Sequence, residues 1–191
     1  MSAAAQFKGS IAMRGDLSIV VRDALTKEAI KHIEIRNKIT FLAADLLVEL
    51  LAQRTTDSQP ISVALPTPHY EHPNEIFSMR MGTSSVPAER TDTNLGAFVH
   101  GVLLEDVSKI TGVPGELQFV AQLGVGDANG NTLQEAGLFT RGDAGAGLAT
   151  ASDLPQTIPG KVRMFARQGH APVSKTAAIT VEYSWRVALT A

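Results

Sequence analysis

The chain has 191 residues, 44% of them apolar and 19% charged, with a formal net charge of −2 and no cysteine. That length fits one domain with enough apolar area for a core, and the near-neutral balance excludes the basic face that phosphate backbones demand. The missing thiols exclude disulfides, thiolate metal sites and cysteine nucleophiles, and fit synthesis in a reducing cytoplasm.

The opening "MSAAAQFKGS" is read as carrying no secretion signal, because no basic region precedes an apolar run. Residues 1–16 are expected to form an extended arm on a single domain over 1–191. The first strand is expected at Leu17 to Leu25, where "LSIVVRDAL" is β-branched and apolar. In "IKHIEIRNKI" the residues from His32 to Arg36 alternate strictly, which predicts a strand with one wet and one dry face.

A helix is expected over Phe41 to Gln53. Leu42, Leu46 and Leu50 recur at i, i+4, i+8 beside Leu47 and Leu51, with Asp45, Glu49 and Gln53 on another face. Thr40 suits its N-cap. The same stretch is the longest apolar run, but Asp45 and Glu49 break it. It falls short of the roughly 20 apolar residues a bilayer requires, so a soluble protein with no membrane partner is expected.

Prolines at Pro66, Pro68 and Pro73 make the next segment irregular. Further strands are read at Ile76 to Met81, Ala97 to Val107, Leu117 to Gly124, Leu133 to Thr140, Val162 to Arg167 and Ala178 to Leu189. Asn129-Gly130 predicts a hairpin turn, since both residues tolerate positive φ. Residues 141–160 read as a long Gly/Ala-rich loop. Many short strands with one helix argue against a parallel α/β sheet. The expected fold is mainly β, an antiparallel jelly-roll-like β-sandwich with one amphipathic α-helix.

Candidate chemistry is sparse. "HYEHPNE" offers His69, Glu71, His72 and Glu75, but prolines break the helix that would group them, and the HExxH pattern is missing. "DANGNT" places Gly130 fourth, where a calcium loop needs glycine sixth. Arg-Gly-Asp occurs at Arg14 to Asp16 and at Arg141 to Asp143, as turn-forming Gly-Asp pairs do. No GxSxG elbow or phosphate loop occurs, and adjacent Glu105 and Asp106 point to opposite faces of a strand. No catalytic, cofactor or metal residue is therefore assigned.

The order of segments resembles certain virion proteins of tailed bacteriophages. The entry "IEIRNKITFLAADLLVELLA" is similar to their "RN-x-hydrophobic-x…LL-x-LL" opening. "MRMGTSSVPAERTDTNL", Met79 to Leu95, resembles a strand ending in Gly-Thr followed by a Ser/Thr/Pro-rich run closing in "T-D-T-x-L". "GDANGNTLQEAGLF", Gly126 to Phe139, and "RMFARQGHAPVSKTAAITVEYSWRVAL", Arg163 to Leu189, resemble an "EAGLF" element and an "M-x-A-R" strand leading to a Trp-containing one. The resemblance runs from Ile33 onward.

It implies a non-enzymatic β-sandwich of the tail, neck-collar or baseplate. The protein would be made in the host cytoplasm, would assemble with copies of itself and other virion proteins, and would need no nucleic acid. The alternative expectation is a receptor- or carbohydrate-binding module of a fibre, although only ten aromatic side chains (seven Phe, two Tyr, one Trp) are available as sugar platforms. Arg80, Arg90, Arg141, Arg163 and Arg186 are candidate interface anchors. Ile179, Val181, Tyr183, Trp185 and Val187 share one face and are expected in the core. The polar run "TSSVPAERTDTNL" is read as a surface loop packing against a neighbouring subunit and not as an active-site loop, with Asp92 and Asn94 in turns.

Overall fold

The computed structural model describes residues 12–39, 76–110, 115–140 and 162–190. Nine strands are found among them: β1 (Ala12–Asp23), β2 (Ala29–Ile39), β3 (Ile76–Gly82), β4 (Phe98–Leu103), β5 (Asp106–Lys109), β6 (Glu116–Leu123), β7 (Thr132–Thr140), β8 (Met164–Ser174) and β9 (Ile179–Thr190). All pairings are antiparallel, in the order β4-β3-β7-β8-β2-β1-β9-β6-β5.

They form two antiparallel sheets, the arrangement of a β-sandwich. The first holds β2, β1, β9, β6 and β5; the second holds β4, β3, β7 and β8. Two corners join them. β2 pairs with β1 through Asn37 and then with β8 at Lys38 and Ile39. On the other side the chain leaves β4 at Leu104, whose N–H still reaches Phe77 O, and enters the first sheet at Glu105, whose N–H reaches Val120 O.

Period-2 alternation builds the core. On β1, Leu17, Ile19 and Val21 point inward opposite Trp185, Tyr183 and Val181 of β9, and all six are buried. The second sheet contributes Met79, Met81, Val102, Leu133, Ala136, Leu138 and Ala166 to the same core. The inward face expected of Ile179, Val181, Tyr183, Trp185 and Val187 is the one observed.

Several boundaries differ from expectation. β1 starts at Ala12, paired with β9, so residues 12–16 are strand and not arm. It stops at Asp23, two residues early, because the Asp23 carboxylate accepts the N–H groups of Leu25 and Thr26 and holds a turn with Lys27 at φ 63°. Those bonds draw its pKa below the ordinary carboxylate value. The single strand expected over 97–107 is two strands, broken at the Leu104–Glu105 corner. The hairpin expected at Asn129-Gly130 does not form. The turn is there, with Gly130 at φ 81° and Ala128 at φ 51°, but it carries the chain from β6 in one sheet to β7 in the other. The expected helix over 41–53 and the Pro-rich stretch lie outside the described residues.

Candidate functional site

The outer face of a sandwich sheet normally meets water. Outward positions of the second sheet instead hold Ser78, Arg80, Glu135, Phe139 and Arg167, and all are buried. Over Glu135, Phe139 and Arg167 lies the loop of residues 83–97 between β3 and β4, which folds back onto that face. Its base is closed by the Thr83 N–H donating to Ala97 O at 2.9 Å. Leu95 packs with Phe139 and Met164 as a small second core. Glycines make the approach close. A Cβ on Gly137 would lie 3.1 Å from Leu95 Cδ2, and one on Gly82 would collide with the Glu135 carboxylate and the Ala97 carbonyl.

Under the loop lies a fully dry carboxylate. Glu135 Oε1 accepts from Ala97 N at 2.7 Å and Ser84 N at 3.3 Å; Oε2 accepts from Gly96 N at 3.0 Å and Arg167 Nε at 2.9 Å. The Arg167 guanidinium spends its other nitrogens on Asp92 Oδ2 at 2.6 Å and Val86 O at 3.1 Å. Asp92 also accepts from Glu89 N at 2.7 Å, which fixes the tight turn of the loop. The side chains of Glu135 and Arg167 are 0% and 4% exposed. Burial opposes the charge on Arg167, but its bonds to Asp92 and Glu135 outweigh that, and its pKa is raised.

This arrangement suits holding and not proton transfer. A general acid or base needs an approachable lone pair, whereas each Glu135 oxygen already has two donors. Such a buried ion pair with every group bonded fixes one loop conformation. Beside it, Arg80 lies with Cζ 4.5 Å from the centre of the Phe139 ring, and burial lowers its pKa to about 10.

A groove of about 430 Å³ opens at the edge of the loop, lined by Ile35, Arg36, Ser85, Gln134, Gln168 and His170 among others. His170 turns its ring edge towards Tyr183, centroids 5.9 Å apart, and its Nδ1 meets Ala171 O at 2.9 Å. Burial pushes the His170 pKa below the ordinary imidazole value. At the far end of the second sheet, Lys175 is buried with its Nζ on Asn129 Oδ1 at 3.2 Å and Thr176 O at 2.9 Å.

The candidates read from sequence scatter. His69, Glu71, His72 and Glu75 lie outside the described residues, as do Arg141 and the second Arg-Gly-Asp. Arg14 of the first copy pairs with its own Asp16 at 2.6 Å on β1. Glu105 precedes β5 at the corner, and Asp106 opens that strand. Of the proposed arginine anchors, Arg90 and Arg186 are exposed and Arg163 is half-buried, but Arg80 is buried against Phe139 and offers no surface to a partner. Among the described residues no group of three or more His, Asp or Glu is placed to hold a metal.

No family model, no curated protein and no solved structure matches the chain.

Sequence reasoning missed Glu135 and Arg167. Their signal was a charge inside an apolar strand run, "LQEAGLF" and "MFARQG", at positions that alternation puts on the face of Gly137 and Phe139.

Proposed function

We propose that the protein is a non-enzymatic structural component of a tailed-bacteriophage particle, working as a homo-oligomer at the tail, neck-collar or baseplate. The observation that carries this reading is a convergence. Three of the four segments behind the phage resemblance each supply one member of the buried network: "T-D-T-x-L" supplies Asp92, "EAGLF" supplies Glu135 and "M-x-A-R" supplies Arg167. Residues that define the motifs are thus spent on fixing a loop to a sheet, which is what a scaffold requires.

The loop then has a defined outer surface to present, with Val86 63% exposed on it. A rigid loop binds a neighbouring protein at lower entropic cost than a floppy one. The partners in this reading are further copies of the chain and other virion proteins.

The test has two arms. Light scattering on the eluting protein at micromolar concentration is expected to give a multiple of the 20.3 kDa chain mass. Gold-labelled antibody against the chain is expected to decorate the tail or neck of particles produced by its host. A strict monomer together with unlabelled particles sinks the proposal. A clear glycan-array signal with unlabelled tail and neck would favour the receptor- or carbohydrate-binding alternative.

A further inference from the structure

Among the described residues β5 stands at one end of the strand order and has a single neighbour, β6, so that none of them pairs with its other edge. The Ile110 N–H donates to Glu116 O at 3.2 Å. Antiparallel ladder bonds alternate along a strand, so Ser108 and Asp106 also face β6, while Val107 and Lys109 direct their main-chain groups to the open edge. Alternation places the side chains of Val107 and Lys109 on one face and those of Asp106 and Ser108 on the other, while Glu105 lies in the bend that precedes the strand. Val107 is 51% exposed, and Leu117, across from Lys109 on β6, is 38% exposed. An open edge flanked by exposed apolar side chains is a template for another strand.

We propose that this edge is a self-association surface on which two copies of the chain pair their β5 strands antiparallel about a two-fold axis through Val107. The first sheets of the two molecules then become one continuous sheet. The inference rests on the homo-oligomer reading above and specifies one of its interfaces.

Symmetry and charge select the register. Directly opposed residues in a sheet share a face, so a two-fold axis perpendicular to it must pass through a residue. Centring on Val107 brings the Glu105 bend beside the partner's Lys109 and sets Asp106 against the partner's Ser108, each contact occurring twice. Centring on Asp106 would press two carboxylates together, and centring on Ser108 would oppose Val107 with Lys109. Only the Val107 register is complementary throughout.

Main-chain bonds fit it too. Val107 N–H reaches the partner's Val107 carbonyl and is repaid in kind by symmetry. Lys109 N–H reaches the partner's Glu105 carbonyl, which is not in conflict with the Glu105 N–H already given to Val120 O at 2.8 Å. Val107 of each copy meets the other across the axis, and Leu117 flanks it diagonally on β6.

The decisive variant is Val107→Cys, because the native chain has no cysteine to confuse the outcome. Cα atoms of a hydrogen-bonded antiparallel pair lie about 5.5 Å apart, within disulfide reach. Mild oxidation is expected to yield a reductant-sensitive covalent dimer. Val125→Cys, at an exposed loop position, is expected to yield none. Lys109→Glu is expected to raise the dissociation constant roughly tenfold or more, since two attractive cross-strand pairs become repulsive. Adding Glu105→Lys is expected to restore it.

Circular dichroism checks that each variant is folded. If the wild type assembles yet Val107→Cys does not cross-link and Lys109→Glu assembles as well as the wild type, the β5 edge is overturned and the homo-oligomer reading stands. If the wild type stays monomeric at every concentration, both fail.

Discussion

Glu135 on β7 and Arg167 on β8 stand diagonally across neighbouring strands, Gly137 being the residue directly opposite Arg167, and meet at 2.9 Å beneath the 83–97 loop. Removing Arg167 leaves a desolvated carboxylate. Arg167→Met is expected to cost about 3–5 kcal/mol in urea denaturation. Glu135→Leu is expected to cost at least as much, since it orphans the N–H groups of Ser84, Gly96 and Ala97. The double variant should fall short of the sum by about 0.5–3 kcal/mol, the coupling of residues in one network. In either single variant the loop should become the first site of limited proteolysis.

Tyr183 presents the opposite case. Its ring is fully buried and its hydroxyl has no hydrogen-bond partner among the described residues. Burial alone raises its pKa far above the ordinary phenol value. Deleting an unsatisfied hydroxyl while keeping the ring removes a penalty, so Tyr183→Phe should be neutral or stabilising by about 1 kcal/mol. A loss of more than that in thermal denaturation would reveal a partner for the hydroxyl.

Lys175 sits beside a neutral amide where a carboxylate would fit. Burial lowers its pKa, with Asp127 pulling weakly the other way. The charged form is therefore disfavoured on folding, and wild-type stability should rise as pH climbs from the folded pKa towards the unfolded value of 10.5. Asn129→Asp places a negative oxygen at the position now 3.2 Å from Nζ. The variant also loses the bond that Asn129 Nδ2 donates to Val125 O at 2.8 Å, which offsets the gain at neutral pH, but it should flatten that alkaline rise. Calorimetry across the alkaline range reads that flattening.

His170 sets an acid limit. Burial lowers its pKa, helped by the nearby Lys31 and opposed by the bond to Ala171 and the charge of Glu135. An imidazole neutral in the fold but protonated when unfolded costs stability as pH falls below the unfolded value of 6.5 towards the folded pKa. The melting temperature should therefore drop over that interval, and His170→Gln should reduce the drop. An unchanged slope would show that another group governs it.

Strand identities were legible because alternation is written in the residues: Leu17, Ile19 and Val21 on one side, Trp185 and Tyr183 on the other. The 83–97 stretch was legible as a packing loop from its turn-forming residues, but the partner expected for it was a neighbouring subunit, whereas it folds onto its own sheet. What it packs on was not. Glu135 and Arg167 become partners only when β7 lies beside β8, and no local period encodes that neighbour relation. The Leu104–Glu105 break was hidden for a similar reason. It reflects where one sheet ends and the other begins, while the local run "FVHGVLLEDV" stays uniformly strand-like. Asn129-Gly130 announced a turn correctly, but which sheet each flank joins depends on β9 arriving between β1 and β6.

That arrival has a cost in timing. β9 is the last described strand, yet it occupies an interior slot and pairs along twelve residues with the first. A ribosome must deliver residue 190 before the first sheet can close, so nascent chains wait as two separate pairs, β1 with β2 and β5 with β6. Products that end before Ile179 lack that central plank altogether.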